Sequence, residues 1–213
     1  MKSNYNKQHG FTLVEMAIIV VLAGILLAAG VMAGRGMISR AQTQDVLKII
    51  GDLQGAALAF KQRYGYLPGD WLYVANQLPN VVASVGNGDG LITGALPAAG
   101  AGLAPAGTEI ESAPKHLYEA GLIGKIGSNT RMRIQSQFGG VHMAEASTTN
   151  TNPTYPAANP SVKNVIVFYN LPCEVILEVD RALDDGNDTT GRARGSVACL
   201  PATGSTPLYF VPL

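Results

Sequence analysis

The sequence has little charge and few cysteines. Charged residues make up only 14% of its 213 residues, which is low for a soluble domain. Basic and acidic side chains number 15 each, which argues against a nucleic-acid binder that relies on a broad basic face, and no nucleic-acid partner is predicted. The two cysteines, Cys173 and Cys199, fit one disulfide outside the cytoplasm or two free buried thiols.

Motifs for catalysis are also missing. The sequence contains neither a Gly-x-Ser-x-Gly turn nor a Gly-x-x-x-x-Gly-Lys phosphate loop, which nucleophilic hydrolases and many nucleotide-binding enzymes carry. Its three histidines, His9, His116 and His142, are scattered along the chain. We expect that the chain is not an enzyme. A membrane-anchored enzyme is a distant alternative that substitutions at His116 and His142 test.

Apolar residues are concentrated near the N-terminus. Residues 11–34 contain a single charged side chain, Glu15, and a helix of about 20 apolar residues spans a bilayer. Lys2 and Lys7 precede this segment, so the positive-inside rule predicts that the N-terminal end stays cytoplasmic and the rest lies across the membrane. A secretory signal peptide has a shorter apolar region and a small-residue cleavage site after it. That signal and a plain single-span anchor are the simpler alternatives.

Glu15 argues against both of these alternatives. A carboxylate within an apolar membrane segment costs roughly 2.5–3.5 kcal/mol on insertion scales, and neither a signal peptide nor an anchor needs it. A cut between Gly10 and Phe11 would create a positive α-amino group one helical turn from Glu15. An ion pair of this kind, within one subunit or between two, would set the register of packed helices.

Residues 7–15 read Lys-Gln-His-Gly-Phe-Thr-Leu-Val-Glu and resemble the processing site of prepilins. These are the precursors of type IV pilins and type II secretion pseudopilins. The resemblance implies that prepilin peptidase cuts after Gly10 and that Phe11 becomes a methylated N-terminus. It also implies that Glu15 aligns each incoming subunit during filament assembly. The implied partners are prepilin peptidase, other pilin or pseudopilin subunits, an inner-membrane assembly platform and, before assembly, the lipid bilayer.

The resemblance implies a location as well. The chain would sit in a bacterial inner membrane with a single pass and its head in the periplasm, and would then join a periplasmic or cell-surface filament. We expect a structural subunit. The head is larger than that of the smallest major pseudopilins, which favours a minor role. The alternative is a membrane-tethered extracytoplasmic binding module that does not polymerise.

After Gly36 the pattern becomes amphipathic, because apolar residues recur every three or four positions from Ile50 to Tyr64,. With no proline between Phe11 and Tyr66, we predict one helix from about Phe11 to Arg63. The predicted parts are a leader at 1–10, a transmembrane or filament-core helix at 11–35, its amphipathic half at 36–64, and a head with a C-terminal disulfide loop at 65–213.

The head is predicted to be a small antiparallel sheet with short helices, giving an α+β, pilin-like fold. We expect a helix capped by Ser112 with Pro114 in its first turn. A second helix is predicted over residues 172–184. The remaining predictions are strands at 131–138, 162–170, 192–199 and 208–211, a loop at 144–160, and a turn at 184–188.

Two kinds of site remain as expectations for the head. Pilins commonly close a C-terminal loop with a disulfide, and Cys173 and Cys199 would do so here, for about 3–4 kcal/mol of stabilisation. No cofactor is expected. Calcium prefers oxygen ligands, and some pseudopilins bind it in C-terminal loops. The weak calcium candidates are Asp180, Asp184, Asp185 and Asp188, although turn formation is the simpler role and their spacing is not that of an EF-hand. Asn87 and Asp89 are weaker candidates still.

Overall fold

The first element is a single long helix. The computed structural model describes residues 12–97, 104–124, 134–147, 155, 159–199 and 204–213, and within them α1 spans Leu13–Tyr64 over 52 residues. The predicted continuous helix is therefore confirmed. It ends at Gly65, whose φ of +82° suits glycine and whose N–H bonds to the carbonyl of Lys61, as in a left-handed helix cap.

The chain divides into two compact units, residues 1–41 and 42–213. In the second unit, one face of α1 is buried in the hydrophobic core, as the apolar stripe predicts,. Each fully buried aliphatic or aromatic side chain contributes about 1.5–3 kcal/mol. The buried residues of this face are Val46, Ile50, Leu53, Ala57, Phe60 and Tyr64.

The described residues of the head form an antiparallel sheet of five strands. They are β1 (Ile134–Gln135), β2 (Gly140–Glu145), β3 (Asn164–Pro172), β4 (Arg194–Gly195) and β5 (Ser205–Pro212). Their order across the sheet is β1-β2-β3-β5-β4, with Phe168 paired to Tyr209 at the centre. Together with α1, this sheet confirms the α+β fold class.

Two short helices complete the head. Helix α2 spans Glu109–Glu119 and α3 spans Cys173–Leu183, the latter as predicted. The predicted cap of α2 is wrong by one turn. Thr108 is the N-cap, since its hydroxyl accepts the N–H of Glu111, and Pro114 lies beyond the first turn. Ser112 instead donates its hydroxyl to the carbonyl of Thr108.

Strand β2 corrects the predicted loop at 144–160, because Ala144 and Glu145 pair with β3. Its sequence, Gly-Val-His-Met-Ala-Glu, contains weak strand formers and does not alternate, since its residues are buried on both faces. The predicted strand at 131–138 is present at Ile134–Gln135. Residues 131–133, 148–154 and 156–158 lie outside the described residues.

The predicted strand at 192–199 is present only as the two residues of β4. Carboxylates take up the neighbouring backbone donors. Asp184 accepts the N–H groups of Arg192 and Ala193, and Asp188 accepts that of Cys199. Segments whose N–H groups are bound in this way cannot extend the ladder.

Candidate functional site

The start of α1 is organised by a capping box between Thr12 and Glu15. The carboxylate of Glu15 accepts both the backbone N–H and the hydroxyl of Thr12, each at 2.8 Å. In return, the Thr12 hydroxyl accepts the N–H of Glu15 at 3.2 Å. This reciprocal pattern satisfies donors that a helix start leaves open. Glu15 therefore has an internal partner before any other group approaches it.

The segment that follows exposes apolar side chains on every side. Leu13, Leu26 and Met32 are each more than 70% exposed, and α1 is long and apolar enough to cross a bilayer,. So much apolar surface is not stable in water. Lipid or another apolar surface must cover it, as expected for a helix that anchors a chain to a membrane. Other large apolar residues exposed here include Val14, Met16, Ile18, Ile19, Val20, Val21, Leu22, Ile25, Leu27 and Val31.

The predicted cleavage site, Gly10 and Phe11, lies outside the described residues. The described residues begin at Thr12.

At the other end of the chain, Cys173 and Cys199 form a disulfide, with Cα atoms 5.3 Å apart. The bond joins the first residue of α3 to the segment after β4. The N–H of Cys173 donates to the carbonyl of Gly204, and the N–H of Cys199 donates to Asp188 at 2.6 Å. The predicted disulfide is thus present, and the open alternative of two free thiols is not realised.

The four carboxylates proposed for calcium serve different parts of the backbone. Asp184 and Asp188 bind N–H groups of residues 192–199. Asp185 accepts the hydroxyl of Thr190 and the N–H of Asn187, and these bonds lower the pKa of Asp185. Among the described residues no group of three or more His, Cys, Asp or Glu side chains is arranged to hold a metal. Asp184, Asp185 and Asp188 thus stabilise turns, and calcium binding by the cluster stays a prediction.

Asp180 is the exception, because it is fully buried. One of its oxygens accepts the hydroxyl of Tyr209 at 2.8 Å, which joins α3 to β5. Burial raises the pKa of Asp180, and the charges of Asp185 and Asp184 raise it further against the opposing effect of the Tyr209 bond. Burial likewise raises the pKa of Tyr209, so the phenol remains the donor.

A second group of acidic side chains, formed by Asp70 and Glu109, was not predicted from the sequence. Asp70 is 1% exposed and accepts the N–H groups of Gly88, Asp89 and Gly90. Glu109 is also buried and accepts the N–H groups of Asn87 and Thr93, along with the Thr93 hydroxyl. Asn87 and Asp89 bond to each other. Backbone and side-chain donors hold these oxygens in place.

The two histidines of the head are both buried. The Nδ1 atom of His116 accepts the N–H of Gly69 at 3.0 Å, and its ring lies beside Phe60 and Trp71. His142 is on β2, edge-on to Tyr169. His116 therefore supports the loop that follows α1.

Comparison with known proteins supports the interpretation of the N-terminus. The profile of the prokaryotic N-terminal methylation motif matches residues 5–31, which include Gly10, Phe11 and Glu15. No curated protein and no solved structure matches the chain. The chain carries the prepilin-type signal of type IV pilins and pseudopilins, on an apolar helix that continues into an α+β head.

Proposed function

We propose that the chain is a minor structural subunit of a type IV pilus or a type II secretion pseudopilus. In this proposal, prepilin peptidase removes residues 1–10 and methylates Phe11, and the subunit waits in the inner membrane with its head in the periplasm. An assembly platform then transfers it into a helical filament. The observation that carries the proposal is the methylation motif at residues 5–31 on a helix that exposes apolar side chains all around.

Once the helix leaves lipid, burial of its apolar surface against other subunits drives assembly. In the membrane, lipid covers the first half of α1. In the filament, the corresponding segments of other subunits cover it, and the heads lie on the outside. Apolar burial is not directional, so it cannot fix the register between neighbouring helices. A polar or charged group has to do so.

Glu15 is that group in our proposal. Its carboxylate is held at the first turn by Thr12, close to the position where cleavage would leave the α-amino group of Phe11. An ammonium group from the same or an incoming subunit would offset the cost of the carboxylate in apolar surroundings. A subunit placed out of register would leave the charge unpaired, which costs several kcal/mol.

Substitution of Glu15 tests the proposal. We expect Glu15→Ala to reduce the amount of chain in the sheared filament fraction by at least about tenfold relative to the membrane fraction, because breaking a buried ion pair costs more than about 1.4 kcal/mol. Glu15→Gln should fail as well, since a neutral amide cannot pair with an ammonium. Immunoblots of the two fractions measure the ratio.

Asp45→Ala is the matched control, because Asp45 is an exposed acidic residue of the same helix. It removes the same charge outside the apolar segment and should assemble normally. Normal assembly of Glu15→Ala would contradict the filament proposal. Loss of function through head substitutions alone would then favour a tethered binding module.

A further inference from the structure

A groove in the head places three cations together without an acidic side chain. Its volume is about 510 Å³, and its described lining includes Lys61 from α1, Lys163 before β3 and Arg192 before β4. All three cations are exposed, and no Asp or Glu side chain is among the described lining residues. Three separate segments of the chain thus bring like charges to one site, an arrangement that repels itself unless an anion joins it.

The walls of the groove are held in place by hydrogen bonds. Asn164 is 8% exposed, and its side-chain amide accepts the N–H of Ile92 and donates to the carbonyl of Gly90. The backbone carbonyl of Asn164 accepts the N–H of Leu213. Across the groove, Gln54 of α1 donates to the carbonyl of Pro212. The groove is therefore formed before any partner binds, which lowers the entropic cost of binding.

Apolar side chains line the same groove as the cations. Leu58 is 58% exposed, and Leu58, Leu67 and Val162 line the same groove. Leu58 and Lys61 are three residues apart on α1, so they share one face of the helix. Asp184 belongs to a neighbouring groove that shares Arg192, and it already accepts backbone N–H groups there.

We propose that this groove binds an acidic peptide segment of a partner protein, with an apolar side chain on Leu58 and carboxylates beside Lys61, Lys163 and Arg192. The described lining contains no aromatic ring, and single-stranded nucleic acid is usually held by stacking on such rings. The zero formal charge of the chain does not favour duplex DNA,. The acidic peptide matches both the cations and the apolar surface.

The test measures binding of a fluorescent peptide that repeats Glu-Glu-Leu to the full chain in non-ionic detergent micelles. Fluorescence anisotropy should report saturable binding that weakens as salt is raised. The triple variant Lys61→Gln, Lys163→Gln, Arg192→Gln should bind about tenfold more weakly, since each exposed charge pair contributes a factor of up to about five and the three together reach about that loss. Leu58→Gln should also weaken binding.

The matched control is Lys48→Gln, which removes an exposed cation of the same helix that does not line the groove. It should leave the affinity unchanged, and a peptide repeating Lys-Lys-Leu should not bind. The micelles are the same for every variant, so adsorption to detergent cancels in the comparison.

Four outcomes would overturn the proposal. They are no binding by the unmodified chain, equal affinity in the triple variant, tighter binding of a thymidine oligonucleotide at the same residues, and self-association of the heads that the triple substitution abolishes. The oligonucleotide result would assign the groove to nucleic acid, and the self-association result would assign it to a second copy. Binding is measured without assembly, so failure here leaves the filament proposal untouched.

Discussion

His116 shows how one buried side chain links the end of α1 to the rest of the head. It is 1% exposed, and its Nδ1 atom must stay unprotonated to accept the N–H of Gly69. Burial lowers the pKa of His116 from 6.5 to about 4, and the nearby charge of Lys115 adds to this effect. The folded head therefore resists protonation at a pH where the unfolded chain accepts a proton.

This difference predicts a pH-dependent stability. Between pH 6.5 and about 4 the unfolded state binds the extra proton, so stability falls as pH falls,. We expect the free energy of unfolding to be about 2 kcal/mol lower at pH 5 than at pH 7. Trp71 is the sole tryptophan and lies 5.4 Å from the His116 ring, so its fluorescence can follow unfolding by urea.

The control for this prediction is His116→Asn, which keeps an acceptor for Gly69 but does not titrate. It should be less stable than the unmodified chain at pH 7, because the ring contacts with Phe60 and Trp71 are lost. Its stability should change less between pH 7 and pH 5. An unchanged pH dependence in this variant would show that other groups cause it.

Asp70 and Glu109 illustrate what the sequence could not predict at the residue scale. Both look like ordinary charged surface residues, and buried acidic side chains are rare unless they are paired. Their burial depends on backbone N–H groups about 20 residues away, which converge on them only after the loop folds. Thr-x-x-Glu at residues 108–111 was a local signal for the start of α2, but Ser112 followed by Pro114 suggested a competing start.

At the scale of elements, a disulfide and a hydrogen bond connect the two ends of α3 to the rest of the C-terminal part of the head. The disulfide joins Cys173 at its start to Cys199. Near its end, Asp180 accepts the hydroxyl of Tyr209 on β5. Beyond the end of α3, Asp184 and Asp188 bind the irregular segment around β4. A short strand of two residues is therefore sufficient at this edge of the sheet.

Removal of the disulfide should therefore destabilise this part of the head. We expect the double variant Cys173→Ser, Cys199→Ser to lower the free energy of unfolding by about 2–4 kcal/mol, because the unfolded chain is no longer closed into a loop. Unfolding in urea, followed by Trp71 fluorescence, measures the loss. Reduction of the unmodified chain with dithiothreitol should reproduce it. An identical midpoint with and without reductant would contradict the prediction.

Elements with strong local patterns were predictable from the sequence, and those that depend on pairing were not. The stripe from Ile50 to Tyr64 predicted α1, and the short run of β-branched and aromatic residues at 165–169 predicted β3. Strand β2 was missed because Gly140 and His142 have low strand propensity and pair with β3 only in the folded head. The prediction of a strand over 192–199 was wrong for most of this segment. The side-chain pattern does not show that carboxylates, and not a neighbouring strand, accept its backbone N–H groups.

At the scale of the whole molecule, the two halves of α1 differ in which of their surfaces must be covered. The first half of α1 exposes apolar side chains that lipid or other subunits have to cover. The second half buries its apolar face within the head and presents polar residues to solvent. One continuous helix without proline carries both halves. This arrangement suits the proposed subunit, which would first be stored in a membrane and later packed into a polymer.

The mass of the chain extracted from membranes tests the central claim most directly. Intact and N-terminal peptide mass spectrometry, in cells with an active prepilin peptidase, should find a chain that begins at methylated Phe11. That result is predicted by the motif at residues 5–31 and by the proposed roles of Gly10 and Glu15. A chain that still begins at Met1 would contradict the account and favour a tethered module that is never processed for assembly.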